Sequence, residues 1–248
     1  MPDQQIAAMY SILPRAWGRQ HWWPAQSRFE VIVGAFLTQN TSWSNVELAM
    51  RSLRSARALS LDGIRKVSLR QLEQLIRSSG YFRQKAARLK TFLEFLDSKY
   101  GGSLTRMFSQ PTAQLREQLL SLNGIGPETA DSILLYAGQY PIFVVDAYTK
   151  RVAARHGILP PDAPYEDVRE LFERSLNNIE LTKEFISQSG GASHSPSRMS
   201  TMRRSARAQV YNEMHGLLVG VGKNYCLKSA PKCDSCPLKP LLKVDITA

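Results

Sequence analysis

The sequence has few cysteines, no long apolar run and almost no strand-like alternation. Its three cysteines all lie between residues 226 and 236, unlike a secreted disulfide framework, so we expect a reducing, cytoplasmic compartment. No apolar stretch approaches the length of a membrane span, and residues 1–5 lack the basic start of a signal peptide, so we expect no membrane partner. The apolar segment 141–145 is too short to support a sheet.

Acidic residues are also in the minority, at 21 against 32 lysines and arginines, which gives a formal charge of +11. An excess of this size favours a polyanionic partner such as nucleic acid. The 248 residues suffice for one large domain or two small ones with a proper core.

The apolar residues that are present recur at helical spacings of three and four. Examples are Phe29, Val33 and Phe36–Leu37, then Leu72, Leu75 and Ile76, then Leu89, Phe92, Leu93 and Leu96. The pattern predicts an all-α fold with about ten helices.

Residues 122–130 read Leu-Asn-Gly-Ile-Gly-Pro-Glu-Thr-Ala and predict two helices joined by a tight turn. Gly124 and Gly126 allow positive φ and the close approach of a partner. Pro127 suits the first position of the second helix. Such a hairpin points backbone N–H groups outward, and these groups bind phosphate well.

Two further features lie downstream of this turn. Asp146 stands in Val-Val-Asp-Ala-Tyr-Thr-Lys-Arg, eighteen residues after Glu128. Cys226, Cys233 and Cys236 follow with the spacing C-x6-C-x2-C. Together with the glycine turn they resemble the helix–hairpin–helix (HhH-GPD) DNA glycosylase superfamily, on the endonuclease III side, from about residue 27 to residue 237.

The resemblance implies an all-α fold with two helical domains that flank a DNA-binding cleft. The central domain would span 27–138, with the hairpin at about 114–138. Residues 1–26 and 139–225 would form the second domain, and 226–242 the cysteine-containing loop. It also implies a monomer that binds double-stranded DNA in the nucleoid and flips a damaged base out of the stack.

Asp146 and Glu128 are the candidate catalytic residues. Breaking a glycosidic bond builds positive charge on the sugar, which a fixed carboxylate stabilises, and similar glycosylases use this Asp. Asp146 also suits a helix N-cap. Bifunctional members carry Lys at the place of Glu128; because a carboxylate cannot form an imine, we expect hydrolysis without lysine-type strand cleavage. Glu128 could also simply complement its helix dipole.

Six residues are expected to contact DNA. Gly124 and Gly126 would anchor a phosphate, aided by Lys150 and Arg151. Gln39 and Tyr81 are candidates for filling the gap that the flipped base leaves, although Tyr81 could equally be a packing residue.

The base pocket is suggested by three motifs that resemble the 3-methyladenine DNA glycosylase III branch: Gly124 to Asp131, Leu37 to Trp43, and Trp22–Trp23–Pro24. In that branch such residues wall the pocket, which implies Trp22, Pro24 and Trp43. A purine alkylated at N3 or N7 is cationic, so indole faces favour it over the neutral base. The alternative is that the tryptophans belong to the core.

The cysteine motif lacks one ligand. Relatives carry a fourth cysteine where this chain has Leu242, and Fe–S clusters normally take four thiolates. An iron–sulfur cluster could bind with a non-cysteine fourth ligand (4Fe–4S) or as a three-iron form (3Fe–4S). The loop could instead have lost its cluster, or zinc could bind to three thiolates and a histidine or water.

One segment breaks the helical pattern. Residues 187–205 are rich in Ser and Gly, with Arg198, Arg203 and Arg204 in the second half. They predict either a flexible loop or a basic loop that orders on DNA.

The sequence therefore favours a monofunctional glycosylase of base excision repair that removes alkylated purines. The alternatives are a pyrimidine or mismatch glycosylase with lyase activity through another lysine, and a DNA-binding protein without catalysis.

Overall fold

The computed structural model describes residues 1–177, 179 and 194–242. Within this part the structure is helical and contains no strand, as the periodicity predicts. The stretch 187–193 of the predicted basic loop lies outside the described residues. None of the helices in the described part could span a membrane.

The chain divides into two compact units. The central unit comprises residues 25–138, and the terminal unit comprises residues 1–24 together with 139–248.

The central unit contains eight α-helices and a π-helical segment, Ile133–Gly138. The helices are α2 (Arg28–Leu37), α3 (Trp43–Ser55), α4 (Leu61–Lys66), α5 (Leu69–Leu75), α6 (Phe82–Tyr100), α7 (Leu104–Met107), α8 (Thr112–Leu120) and α9 (Pro127–Ser132). Helix α2 is buried along most of its length and packs against α3, α6, α9 and the π-helical segment. This apolar helix therefore forms the centre of the unit's core.

The described residues of the terminal unit form four α-helices. They are α1 (Pro2–Trp17), α10 (Ala147–Arg155), α11 (Tyr165–Leu176) and α12 (Ala206–Asn224). Helix α12 packs against the other three, and Phe143 stacks on Phe172 with ring centroids 4.9 Å apart. The apolar segment 142–145 is buried as non-helical chain that leads directly into α10.

Side-chain caps fix where several helices begin. Each capping oxygen accepts a hydrogen bond from a backbone N–H in the first turn, which satisfies a group that has no partner inside the helix. The caps are Ser27, Ser42, Ser60, Ser68, Ser103, Asp146 and Ser205.

Candidate active site and cysteine-lined cavity

Asp146 is the N-cap of α10. Its Oδ1 accepts a hydrogen bond of 2.7 Å from the backbone N–H of Thr149, and its side chain is only 14% exposed. The structure thus places Asp146 at a helix start, which is compatible with a catalytic role for its second oxygen.

The second oxygen of Asp146 faces a histidine that sequence reasoning missed. Nε2 of His215, on α12, lies 3.5 Å from Oδ2 of Asp146. Burial raises the pKa of Asp146, but hydrogen bonding to His215, the charge of His215 and the Thr149 N–H outweigh it, so this pKa lies below its ordinary value. Asp146 is therefore ionised at neutral pH, as the stabilisation of a positive sugar requires.

His215 also joins Asp146 to the tryptophan motif. The Trp22 ring meets His215 edge to face at 5.9 Å and His194 at a tilt at 5.4 Å. Gly216 makes this approach possible, because a Cβ there would lie only 3.0 Å from Cβ of Trp22. Trp22 is 7% exposed, so a base could stack on it only if a neighbouring side chain moved.

The predicted hairpin is present in the central unit, between α8 and α9. Pro127 is the first residue of α9, and Gly124 has φ of +81°, where a Cβ would meet the Arg88 side chain at 1.9 Å. Gly126 differs from the expectation of positive φ, because its φ is −92°. Its backbone is exposed, with open space where a side chain would stand, which allows close approach of another molecule.

Glu128 is an exposed residue in the first turn of α9. Asp131, the last residue of the motif Gly124 to Asp131, is fully buried and accepts two hydrogen bonds from Arg116, at 2.7 and 3.1 Å. That carboxylate therefore joins α8 to α9 and has a structural role.

Gln39 is held by three hydrogen bonds inside the central unit. Its amide nitrogen donates to the Gly124 carbonyl and to the Thr129 hydroxyl, both at 3.0 Å. Its oxygen accepts a hydrogen bond of 2.7 Å from Arg88. Gln39 thus ties the end of α2 to the hairpin, and it would have to break these bonds to enter DNA.

Tyr81 is 65% exposed and is the residue immediately before α6. Its φ of 45° is a strained value for a residue with a side chain, and Gly80 before it has φ of 65°. This exposure does not fit a simple packing role for Tyr81 and leaves its ring available for contact with DNA.

A buried lysine fixes both of these loops. Lys85, on α6, is 1% exposed, and its ammonium donates to the carbonyls of Leu37 at 2.9 Å and Ser79 at 2.6 Å. Burial lowers the pKa of Lys85 to about 8, with a smaller contribution from the charge of Arg88. Lys85 and Arg88 both lie on α6, so a single helix holds the two loops that carry Gln39 and Tyr81.

The other predicted site residues lie partly at the surface. Trp43 begins α3 and donates from its indole N–H to Glu47 at 2.9 Å, and Pro24 is half-buried. Lys150 donates to the Ala163 carbonyl at 2.8 Å. With Arg151 and others it lines a shallow basic hollow on α10.

The three cysteines line one small cavity of about 20 Å³ in the terminal unit. Its other walls are Arg155, His156, Tyr225 and Leu242. Arg155 donates to Sγ of Cys226 at 3.3 Å and to the Leu227 carbonyl at 2.6 Å. Burial raises the pKa of the Cys236 thiol, and the charges of the other two cysteines raise it further.

This cavity does not have the geometry of a mononuclear site. Among the described residues, no group of three His, Cys, Asp or Glu side chains could hold a single metal ion. A zinc ion would need four ligand atoms at about 2.0–2.3 Å, and the zinc alternative stays a prediction. An iron–sulfur cluster spreads its ligands over several iron atoms, and three thiols around one cavity fit that requirement in donor type.

Comparison with known proteins identifies the family. The model of the HhH-GPD superfamily of base excision DNA repair proteins matches residues 33–178. The chain belongs to this superfamily. Membership supports DNA glycosylase activity in base excision repair.

One relative and two solved structures show the extent of the likeness. The chain is 40% identical over 237 residues to the "Putative DNA repair glycosylase MJ1434" of Methanocaldococcus jannaschii, covering 95% of this chain and 94% of that protein. It is 27% identical to the H. pylori 3-methyladenine DNA glycosylase solved with 1,N6-ethenoadenine, with a TM-score of 0.70, covering 90% of this chain and 97% of that one. An endonuclease III trapped as a covalent intermediate on DNA has the same fold, at 22% identity and a TM-score of 0.70, covering 97% and 95%.

Proposed function

We propose that this chain is a monofunctional DNA glycosylase that hydrolyses the N-glycosidic bond of an alkylated purine such as 3-methyladenine. The observation that carries the proposal is Asp146, an ionised carboxylate held by a helix N-terminus and by His215 beside Trp22. This arrangement supplies a fixed negative charge next to an aromatic ring.

Asp146 acts on the sugar in this proposal. As the C1′–N bond breaks, its electron pair leaves with the base and the sugar becomes positively charged. The carboxylate stabilises this charge without reorganisation, because both oxygens already face donors. A water oxygen then bonds to C1′ and gives up its proton, so the products are a free base and an abasic site.

Three observations support the proposed absence of lyase chemistry. Position 128 carries a carboxylate, which cannot attack C1′ to form an imine. Lys85 has a pKa near neutrality but is 1% exposed and bound to two carbonyls. Lys150 is bound to the Ala163 carbonyl. Neither amine is free to attack the sugar as the structure stands.

An alkylated purine suits this chemistry because it is cationic and a good leaving group, so one carboxylate suffices for its release. Trp22, Pro24 and Trp43 are the proposed pocket residues, and the likeness to a protein named 3-methyladenine DNA glycosylase supports this substrate class. The Lys223 ammonium already lies 5.9 Å from the Trp22 ring. We therefore propose that a cationic base stacks on Trp43, or on Trp22 after a neighbouring side chain has moved.

The remaining residues are proposed to bind duplex DNA. The exposed backbone at Gly126 would approach a phosphate, with Gly124 holding the turn. Tyr81 would fill the gap left by the flipped base, since its ring is exposed, while Gln39 would support the hairpin through its bonds to Gly124 and Thr129.

We also propose that Cys226, Cys233 and Cys236 hold an iron–sulfur cluster with a structural role. Such a cluster would fix the loop 226–242 against α10, where Arg151 already donates to the carbonyls of Cys226 and Gly222. No catalytic step depends on it in this proposal.

Base release from a panel of damaged duplexes tests the function. We expect release of 3-methyladenine and related alkylated purines, no release from undamaged DNA, and no covalent adduct when borohydride is present. Release of pyrimidines with a borohydride-trapped adduct would instead support a lyase. Intact DNA binding without any base release would support a non-catalytic protein.

A further inference from the structure

The cysteine-lined cavity contains a donor that the spacing of the cysteines does not reveal. His156 follows the last residue of α10, seventy residues before Cys226 in the sequence. Its side chain is 4% exposed and lines the same cavity as the three cysteines and Leu242.

The ring of His156 presents a lone pair rather than an N–H at Nε2. Nδ1 lies 2.9 Å from the Val152 carbonyl, which can only accept a hydrogen bond, so Nδ1 carries the proton. Nε2 is buried and makes no hydrogen bond of ordinary geometry among the described residues, although the backbone of Leu238 also faces the ring. A buried acceptor without a partner costs free energy, and metal-binding histidines typically donate their other N–H to a backbone carbonyl in this way.

The backbone around this ring is fixed by a glutamine from the first helix. Nε2 of Gln5 donates to the carbonyl of His156 at 2.9 Å and to the carbonyl of Leu241 at 3.0 Å. This amide therefore joins residue 156 to the chain that carries Leu242. The position that lacks a cysteine is thus tied to the histidine.

We propose that His156 is the fourth protein ligand of the iron–sulfur cluster, completing the set of Cys226, Cys233 and Cys236. Imidazole nitrogen binds iron, whereas the alkyl side chain of Leu242 cannot. The inference rests on the proposed cluster and is independent of the glycosylase reaction.

Four proteins test the assignment: the full-length chain, His156→Ala, Leu242→Ala and the double variant His156→Ala/Leu242→Cys. Leu242→Ala is the matched control, because it also shortens a side chain that lines the cavity but removes no donor. Each protein is purified without oxygen, and its iron, sulfide and visible absorbance are measured. The reduced cluster is then examined for nitrogen coupling by electron–nuclear double resonance, with and without ¹⁵N-histidine.

We expect about four irons in the full-length chain and in Leu242→Ala, and about three or fewer in His156→Ala. The double variant should regain iron, since it supplies the fourth thiolate. The full-length chain should show a nitrogen coupling that ¹⁵N-histidine changes and that His156→Ala lacks.

The proposal would be overturned by iron in His156→Ala equal to that in the unaltered chain, by a cluster without nitrogen coupling, or by zinc in place of iron. The first would mean that His156 serves the backbone, where Leu238 is its alternative partner. Base release by an iron-free protein would overturn this inference while leaving the proposed glycosylase intact. A histidine-ligated cluster in a protein that releases no base would support this inference and contradict the proposed glycosylase.

Discussion

At the scale of single residues, Asp146 combines two roles because a carboxylate has two oxygens. Oδ1 caps α10, and Oδ2 faces His215. The capping role was predictable, since Asp precedes a helical stretch and is favoured at that position. The histidine was not, because it lies 69 residues further along the chain, on a different helix.

His215 should orient Asp146 through its Nε2. A glutamine places its amide nitrogen near the position of Nε2, whereas a phenylalanine keeps the ring contact with Trp22 and offers no donor. We expect His215→Gln to retain most of the single-turnover rate and His215→Phe to lose about tenfold, the effect of one hydrogen bond to a charged group. The substrate affinity should change little in either variant.

The comparison of these two variants distinguishes orientation from packing. If His215→Phe kept the full rate, the contact with Asp146 would have no part in the reaction. If both variants lost the rate equally, packing rather than the donor would be responsible.

At the scale of elements, α6 organises the surface of the central unit that is proposed to meet DNA. Lys85 holds the carbonyls of Leu37 and Ser79, and Arg88 holds Gln39. These side chains lie three residues apart on one helix, so a single rigid element fixes two loops. The helix itself was predictable from its periodicity, but the choice of these two cations as anchors was not.

Replacement of Lys85 by Met should loosen both loops at once. Amide hydrogen exchange in residues 38–41 and 78–81 should become about tenfold faster, because a charged donor to two buried carbonyls is lost. Lys90→Met is the matched control: Lys90, also on α6, donates to the carbonyls of Ile64, Arg65 and Val67. It should loosen residues 64–67 and leave the two other loops unchanged. Faster exchange in only one of the Lys85 loops would show that the lysine does not couple them.

At the scale of the whole molecule, local patterns predicted the helical architecture and the hairpin, but not the contacts made within each unit between distant parts of the sequence. Pro127 and Gly124 occupy the positions that the turn motif predicts. His156 shares a cavity with cysteines seventy or more residues away, a proximity that no spacing rule expresses. The extended φ of Gly126 shows a further limit, because glycine is compatible with several conformations.

The pH dependence of the free energy of unfolding should reveal the lowered pKa of Lys85. Its pKa falls from 10.5 to about 8 on folding, so the unfolded state binds more protons between these values. The free energy of unfolding should therefore rise with pH in this window, and below pH 8 the buried ammonium destabilises the fold fully. Denaturant unfolding at pH 7.5 to 10.5 measures the free energy of unfolding of the unaltered chain and of Lys85→Met. The value for the unaltered chain minus the value for the variant should rise with pH. A difference that stays flat or falls with pH would show that Lys85 titrates normally.

The central claim is that the charge of Asp146 drives base release, and Asp146→Asn tests it most directly. Asn is as good an N-cap as Asp, so α10 and the melting temperature should be preserved while the negative charge is lost. The measurement is the single-turnover rate of alkylpurine release from duplex DNA at neutral pH. We predict a rate at least about a hundredfold below that of the unaltered chain, the usual size of a preorganised electrostatic contribution. An unchanged rate in a folded Asp146→Asn protein would contradict the account.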